Sequence, residues 1–396
     1  MATTHIGIGF SQEIDNEIAA RNAAFAAKTQ LNQDRIDFVL VLSTIHYDPK
    51  ITLPIINRIL SKSKVIGTST AGIILADSIE TRGIAILTIT SDTIKFGIGS
   101  IQNIEDITIR EEGMLLGGNS IADFGKMARQ VFLYFIDSHT ANNSLFLRGL
   151  QEVLGSLFPI VSAGSSDDFH YRNSFQIFQD QILKRSAVGV VLGGHTGVGI
   201  GGRHGWRPLG KPRIINKVEG NIIRTIDGKK ASSIYEEYFG QEVEELRAHH
   251  LGRMSILYPL GIYIERSQEY LLRNAIDIRP DGSIVCQGDV PEEAEVHIMI
   301  GNKDACKQAA TEAAEEAHQN LSGKEAKLII VLEGMARLKL LGRMASSEIQ
   351  KIREVFGPKI PIIGMYSNGQ VFPFQAVERI KKPFFQNQSI VVLALS

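Results

Sequence analysis

Phe38-Val39-Leu40-Val41-Leu42 is an uninterrupted apolar run with β-branched content, and such a run suits a strand buried on both faces. After a break at Pro49 comes an amphipathic segment to about Lys62. A second short strand, Lys64-Val65-Ile66-Gly67, then delivers a small-residue turn, Thr68-Ser69-Thr70-Ala71-Gly72. Strand, helix, strand and turn make one βαβ unit. The same order returns in Val131–Ile136, Leu145–Leu154 and Phe158–Ala163, ending in Gly164-Ser165-Ser166-Asp167-Asp168. It returns again in Lys327–Leu332, Ser346–Phe356 and Ile360–Gly364, ending in Tyr366-Ser367-Asn368-Gly369. The expectation is structural repetition of a βαβ unit rather than a short-period solenoid.

Around these units the chain is rich in further strands. Ile84–Thr90 and Ile94–Ile98, separated by Ser91-Asp92-Thr93, read as a hairpin. A helix is expected from about Gln12 to Lys28, with Ser11 as its N-cap and Ile14, Ile18 and Phe25 marking one apolar face. A β-rich stretch runs from Thr196 to about Ile226, followed by a short helix near Ala231–Phe239. Ile256–Glu265 and Tyr270–Ile278 read as strands, and the turn Arg279-Pro280-Asp281-Gly282 joins the latter to Ser283–Gly288. Lys303–Leu321 is a helix with an alanine stripe at Ala305, Ala309, Ala313 and Ala317. Further strands are Ser174–Phe178, Ala187–Leu192 and Ser389–Leu395. With so many apparently antiparallel strands, a plain Rossmann sheet does not fit. The expected class is α/β with α+β character: mixed sheets in several layers, covered by helices. The expected domain boundary is near Asp227-Gly228-Lys229, dividing 1–228 from 229–396.

Composition narrows the function. The 396 residues are 44% apolar and 21% charged, which describes a folded chain of two or three domains. Lys+Arg number 42 and Asp+Glu 43, a net charge of -1, so no overall field favours a nucleic acid. Cys286 and Cys306 are too few for a disulfide framework or a cysteine zinc site. Met1–Ile6 lacks the features of a secretory signal, and runs such as Ala187–Leu192 are far shorter than a membrane helix requires. A soluble, cytoplasmic protein without membrane insertion is expected.

Several motifs tempt. Gly205-Trp206-Arg207-Pro208-Leu209-Gly210-Lys211 begins like a phosphate loop, but Pro212 replaces the hydroxyl residue and extended chain follows. Gly197, Gly199 and Gly202 match a dinucleotide fingerprint in letters, yet no helix opens after them. They read as a glycine strand pressed against another backbone. Gly67-Thr68-Ser69-Thr70-Ala71 resembles a nucleophile elbow, which requires a following helix that Ile73-Ile74-Leu75 does not announce. His249 and His250 are adjacent and cannot chelate together on a helix. No metal or cofactor is expected.

Together these residues resemble the FIST family, a pairing of FIST N and FIST C domains. The resemblance rests on His46-Tyr47-Asp48, Ile66–Gly72, Ala163–Asp168, Gly205–Gly210 and Ile226–Lys229, then on Pro259–Ile262, Arg337 and Gly364–Gln370. These occur in the family's order across nearly the whole chain. The family typically shows a cysteine three residues before the position of Arg337; here Gly334 stands there. The resemblance implies intracellular sensing through small-ligand binding, with amino acids a proposed ligand class and no established catalytic residues. No attached output module is expected, so a separate signalling protein would carry the response.

The expected site lies where the strand-terminal turns converge at the domain junction. The amides of Gly67 and Gly72 and the hydroxyls of Ser69, Thr70 and Ser165 would offer hydrogen bonds. His46 would line the strand end, and Arg207, beside the indole of Trp206, would clamp a ligand carboxylate. Asp167 or Asp168 would accept from an ammonium group, and Tyr366 and Asn368 would come from the second domain. Two other readings stand: a hydrolase using Ser69 with His46 or His170 as base, and a protein-recognition module.

Overall fold

The apolar run becomes β2 (Phe38–Thr44), which pairs in parallel with β3 (Lys64–Thr70), and α2 (Pro49–Ile59) joins them. Every side chain of β2 is buried, as its continuous apolarity requires. The structure is a computed structural model that describes residues 3–61, 63–105, 107–137, 142–167, 173–240, 257–264, 270–375 and 381–396. His249, His250, Asp168 and His170 lie outside the described residues.

The first unit contains β1 (Thr4–Ser11), α1 (Asn16–Leu31), β2, α2, β3, the hairpin β4 (Gly72–Leu75) and β5 (Ile79–Glu80), and β6 (Ile84–Ser91). The second contains β7 (Ile94–Ile101), α3 (Ile109–Phe124), β8 (Arg129–Ile136), α4 (Asn143–Leu154) and β9 (Ile160–Gly164). Its hairpin is β10 (Gln176–Phe178) with β11 (Gln181–Leu183), and β12 (Ala187–Gly194) ends it. In the third, β13 (Val198–Arg203) is followed by an inserted sheet, described below. After the insertion come α6 (Lys303–Asn320), β22 (Leu328–Gly334), α7 (Met335–Leu341), α8 (Ser346–Phe356) and β23 (Ile362–Ser367). The hairpin β24 (Gln370–Gln375) and β25 (Lys381–Gln386) and the strand β26 (Ile390–Leu395) complete it.

The sheet orders demonstrate the repetition. They are β1-β6-β2-β3-β10-β11, then β7-β12-β8-β9-β24-β25, then β13-β26-β22-β23-β4-β5. Each places the unit's first strand, its last strand and its parallel pair in the same order. Each then ends on a hairpin from a different unit. The first unit gives its hairpin to the third sheet, the second to the first, and the third to the second. Inward side chains of all three sheets, including Leu40, Leu133 and Leu332, share one apolar core. The opposite faces are covered by each unit's own helices. Ile84–Ser91 and Ile94–Ile101 are therefore not a hairpin: β6 pairs with β1 and β2, whereas β7 pairs with β12 in the next sheet. The turn at Asp92 is a corner between sheets.

The opening strands explain a second correction. A Cβ on Gly9 would lie 1.9 Å from the Ala23 carbonyl oxygen of α1, and one on Gly201 2.0 Å from the Ala313 carbonyl oxygen of α6. Helix and strand backbones touch, so the helix must present small residues: Ala19, Ala20, Ala23, Ala24 and Ala27 are buried. Ile14, Ile18 and Phe25 point outward, with Ile14 77% exposed. The helix starts at Asn16 on an Asp15 cap, and Ser11 ends the preceding strand. Gly199 and Gly201 are likewise pressed on α6, as expected of a glycine strand.

The insertion forms an eight-stranded sheet with its own core. Its members are β14 (Trp206–Glu219), β15 (Ile222–Ile226), β16 (Lys229–Lys230), β17 (Leu260–Ile262), β18 (Leu271–Arg273), β19 (Ala275–Ile278), β20 (Ile284–Cys286) and β21 (Glu295–Gly301), with α5 (Ser233–Phe239) beside them. The extended chain expected after Gly210 is β14 itself. Asp227 and Gly228 make the turn between β15 and β16, and strands from either side of it pair in three of the four sheets.

The close approach of β13 to α6 has a measurable cost. Gly201→Ala should destabilise the protein by about 3 kcal/mol, because neither backbone can yield cheaply. Gly118 in α3 has open space around its Cα, so Gly118→Ala should stabilise by about 0.5–1 kcal/mol. Urea unfolding of both variants checks the pair.

Candidate ligand-binding site

Hairpin exchange forces the chain to cross between sheets where β3, β9 and β23 end. The three crossings meet. Ser166 N–H donates to the Ser69 carbonyl (3.2 Å), and Ala71 N–H donates to Ser166 Oγ (2.9 Å). Asn368 N–H donates to the Gly164 carbonyl (3.1 Å), and Gly164 N–H donates to the Gly369 carbonyl (3.0 Å). The Tyr366 carbonyl accepts from Thr70 Oγ1 (2.9 Å), Ser166 Oγ (2.7 Å) and Ala71 N–H (3.3 Å). Small residues allow this approach. Ser69, Thr70, Ser165, Asp167, Tyr366 and Asn368 are all buried here. Asp167 accepts from the Asn173 amide, and Ser165 N–H donates to the Ile136 carbonyl. Gly67 is needed for close strand pairing, since a Cβ would lie 2.5 Å from the Val41 carbonyl oxygen. At Gly72 a Cβ would press on the Tyr366 ring at 3.1 Å.

Two expected residues stand elsewhere. His46 is exposed beyond the end of β2, with Nδ1 3.1 Å from Thr44 Oγ1. Arg207 is exposed on β14 beside the buried Trp206. The guanidinium over the indole is that of Arg337, 5.9 Å from the ring centre. Ser69 is followed by β4 and not by a helix, and its Oγ accepts from Phe175 N–H. That is a crossing between sheets and not an elbow geometry.

The inserted sheet closes on the third turn through a layer of buried amides. Asn274 N–H donates to Asn387 Oδ1 (3.0 Å), and Asn387 Nδ2 to Gln287 Oε1 (2.9 Å). Gln388 Nε2 donates to Asn274 Oδ1 (2.7 Å), and Leu272 N–H to Gln386 Oε1 (3.0 Å). Gln287 Nε2 reaches the Asn368 carbonyl at 3.5 Å. Carboxamides both donate and accept, so they can knit two bodies together with no charge.

Beneath Tyr366 lies a buried ionic cluster. Arg337, on α7, donates to Glu348 of α8 and to the carbonyls of His204, Cys306 (3.0 Å) and Gln388 (3.2 Å). Glu333, at the end of β22, faces Glu348 and the Tyr366 phenol. Both of its oxygens, Glu348 Oε2 and the phenol oxygen lack a hydrogen bond of good geometry. Two carboxyls therefore lie within the field of one guanidinium, which contacts Glu348. Burial, then the charge of Glu348, pushes the Glu333 carboxyl well above its ordinary range, which favours its protonated form. Burial and Arg337 push His204 down to about 3; its neutral ring accepts from Trp206 N–H at 2.9 Å. Burial raises the Cys306 thiol to about 11 and Cys286 to about 12, leaving neither as a thiolate.

Residues 37–229 match the FIST N domain and residues 231–373 the FIST C domain. The chain belongs to the FIST family. FIST domains are recognised as small-ligand-binding sensory domains. The chain is 24% identical over 259 residues to an uncharacterized protein of Mycobacterium bovis, covering 63% of this chain and 64% of that one. It is 28% identical over 154 residues to an uncharacterized protein of Methanocaldococcus jannaschii, covering 33% of this chain and 30% of that one. It spans less than two thirds of either relative. A solved cyanuric acid hydrolase from A. caulinodans is similar at a TM-score of 0.40 and 7% identity, over 100% of this chain and 99% of that one. Likeness of that degree carries no chemistry.

In this FIST protein Ser166 stands in the second small-residue turn but had no role assigned to it from sequence, and the amide layer was not expected. Gln386-Asn387-Gln388-Ser389 between two apolar strands was the signal of that layer. Where the family typically shows cysteine, Gly334 has no room for one: a Cβ there would lie 2.6 Å from Gln388 Cα.

The Glu333 proton has a stability signature. A carboxyl whose pKa is raised by folding contributes stability at low pH and loses it as pH rises toward the folded value. Glu333→Gln, neutral and nearly isosteric, should match wild type below about pH 4, where the unfolded carboxyl is protonated too. It should become progressively more stable than wild type as pH rises above that point, measured by urea unfolding. A difference independent of pH would contradict a raised Glu333 carboxyl.

Proposed function

We propose that this FIST protein is a cytoplasmic sensor that binds a small metabolite, with amino acids the favoured class, and signals through a separate output protein. The observation that carries this reading is the meeting of three strand-end turns beneath a second, inserted sheet. Ligand sites favour such strand ends and body interfaces. Ser69, Thr70 and Asn368 supply hydrogen-bonding groups there, and Asp167 supplies a carboxylate suited to an ammonium group. The amide layer between core and insertion supports a coupling of occupancy to the seating of the insertion. Among the described residues no helix is long and apolar enough to cross a membrane.

Thermal unfolding and calorimetry against amino acids and common metabolites test the reading. A ligand at one hundred times its Kd should stabilise the protein by about 2.7 kcal/mol. Asp167→Asn should weaken an ammonium-bearing ligand about 10-fold or more. A panel that leaves both heat and melting unchanged would remove the sensory reading. Affinity capture with and without the ligand then identifies the output protein.

A further inference from the structure

Arg273, at the end of β18, is 3% exposed. Its Nε donates to the Asp289 carbonyl (2.8 Å), and its Nη1 to the carbonyls of Leu272 (3.0 Å) and Phe385 (2.8 Å). The guanidinium stacks on the Phe385 ring, 5.6 Å from its centre. Among the described residues no carboxylate pairs with it, and Nη2 makes no hydrogen bond. The neighbouring Asp289 carboxylate is engaged elsewhere, by Arg148 (2.7 Å) and by Asn142 Nδ2 (2.6 Å). A buried guanidinium with no carboxylate in contact is costly even with the charge of Asp289 nearby, whereas the enclosed Arg337 is paired directly with Glu348.

A second missing acceptor lies alongside. Gln386 is fully buried; its Oε1 accepts from Leu272 N–H, while its Nε2 has no partner. Leu272 links the two side chains: its carbonyl accepts from Arg273 Nη1 and its N–H donates to Gln386 Oε1, while Phe385, next to Gln386, supplies the other carbonyl held by Nη1. Donors are in excess on both sides of the seam between the inserted sheet and the hairpin β24–β25. A bidentate anion is the group that such a fork and amide accept.

We infer that Arg273 and Gln386 form the anchor for a ligand carboxylate, and that a bound carboxylate ties the inserted sheet to the hairpin of the third unit. This rests on the sensory reading and assigns its carboxylate contact to Arg273, where the sequence had suggested Arg207.

Calorimetry with the amino acids, each paired with its amino alcohol, tests it. An amino acid that binds wild type should lose about 10- to 100-fold in affinity in Arg273→Gln, and its amino alcohol should not bind measurably. Gln386→Glu keeps the bond from Leu272 N–H and places a carboxylate beside Arg273. It should abolish amino-acid binding while raising the melting temperature of the free protein. This variant serves equally if Arg273→Gln fails to fold. An amino acid that binds wild type and either folded variant with the same affinity overturns the anchor and leaves the sensory reading standing. Equal binding of acid and alcohol does the same. Silence of the whole panel on wild type overturns both.

Discussion

No unit of the threefold core completes its own sheet. The hairpin that follows each parallel pair leaves for a neighbouring sheet, and a hairpin from the remaining unit replaces it. Edge strands left open would expose unpaired N–H and carbonyl groups; cyclic exchange satisfies them within one chain. It also dictates where the chain must cross. Each crossing follows the carboxyl end of a parallel strand, so the turns at Ser69–Gly72, Gly164–Asp167 and Tyr366–Gly369 are brought together by topology. The carbonyl of Tyr366 then ties them, accepting from Thr70, Ala71 and Ser166.

Polar groups concentrated at that meeting point are expensive to bury and must find partners. The structure meets this cost differently on its two sides. Toward the inserted sheet, neutral amides answer one another, a match that can separate and close again without exposing charge. Beneath Tyr366 the charges are locked, with Arg337 holding Glu348 and burial favouring the protonated form of Glu333. Tyr366 belongs to both regions, its carbonyl in the ring of turns and its phenol above the carboxyls. The proposed carboxylate anchor lies on the amide side, where the surrounding bonds are the more easily exchanged.

Much of this was legible in residues. The three βαβ units, the extended chain after Gly210 and the glycine strand at Gly199 follow from periodicity and from what each motif lacks. Other parts were misread for physical reasons. Ile14, Ile18 and Phe25 look like a core face, but a helix packed against a glycine strand buries alanines and turns its larger residues outward. Arg207 adjoins Trp206 in sequence, yet alternation along β14 sends the two side chains to opposite faces. A clearer sign of repetition lay in Gly7-Ile8-Gly9, Gly97-Ile98-Gly99 and Gly199-Ile200-Gly201, each marking an opening strand.

The amino-acid order alone determined the strands, the helices, the small-residue turns and the family, because these depend on local periodicity and on motifs in a fixed succession. Which sheet each hairpin joins, which arginine stacks on the indole, and which buried donors lack an acceptor were decided only by the tertiary structure. The reason is that hydrogen bonds between residues hundreds of positions apart, such as Thr70 with Tyr366, leave no periodic trace in the chain. They exist only once the three sheets have closed around a shared core.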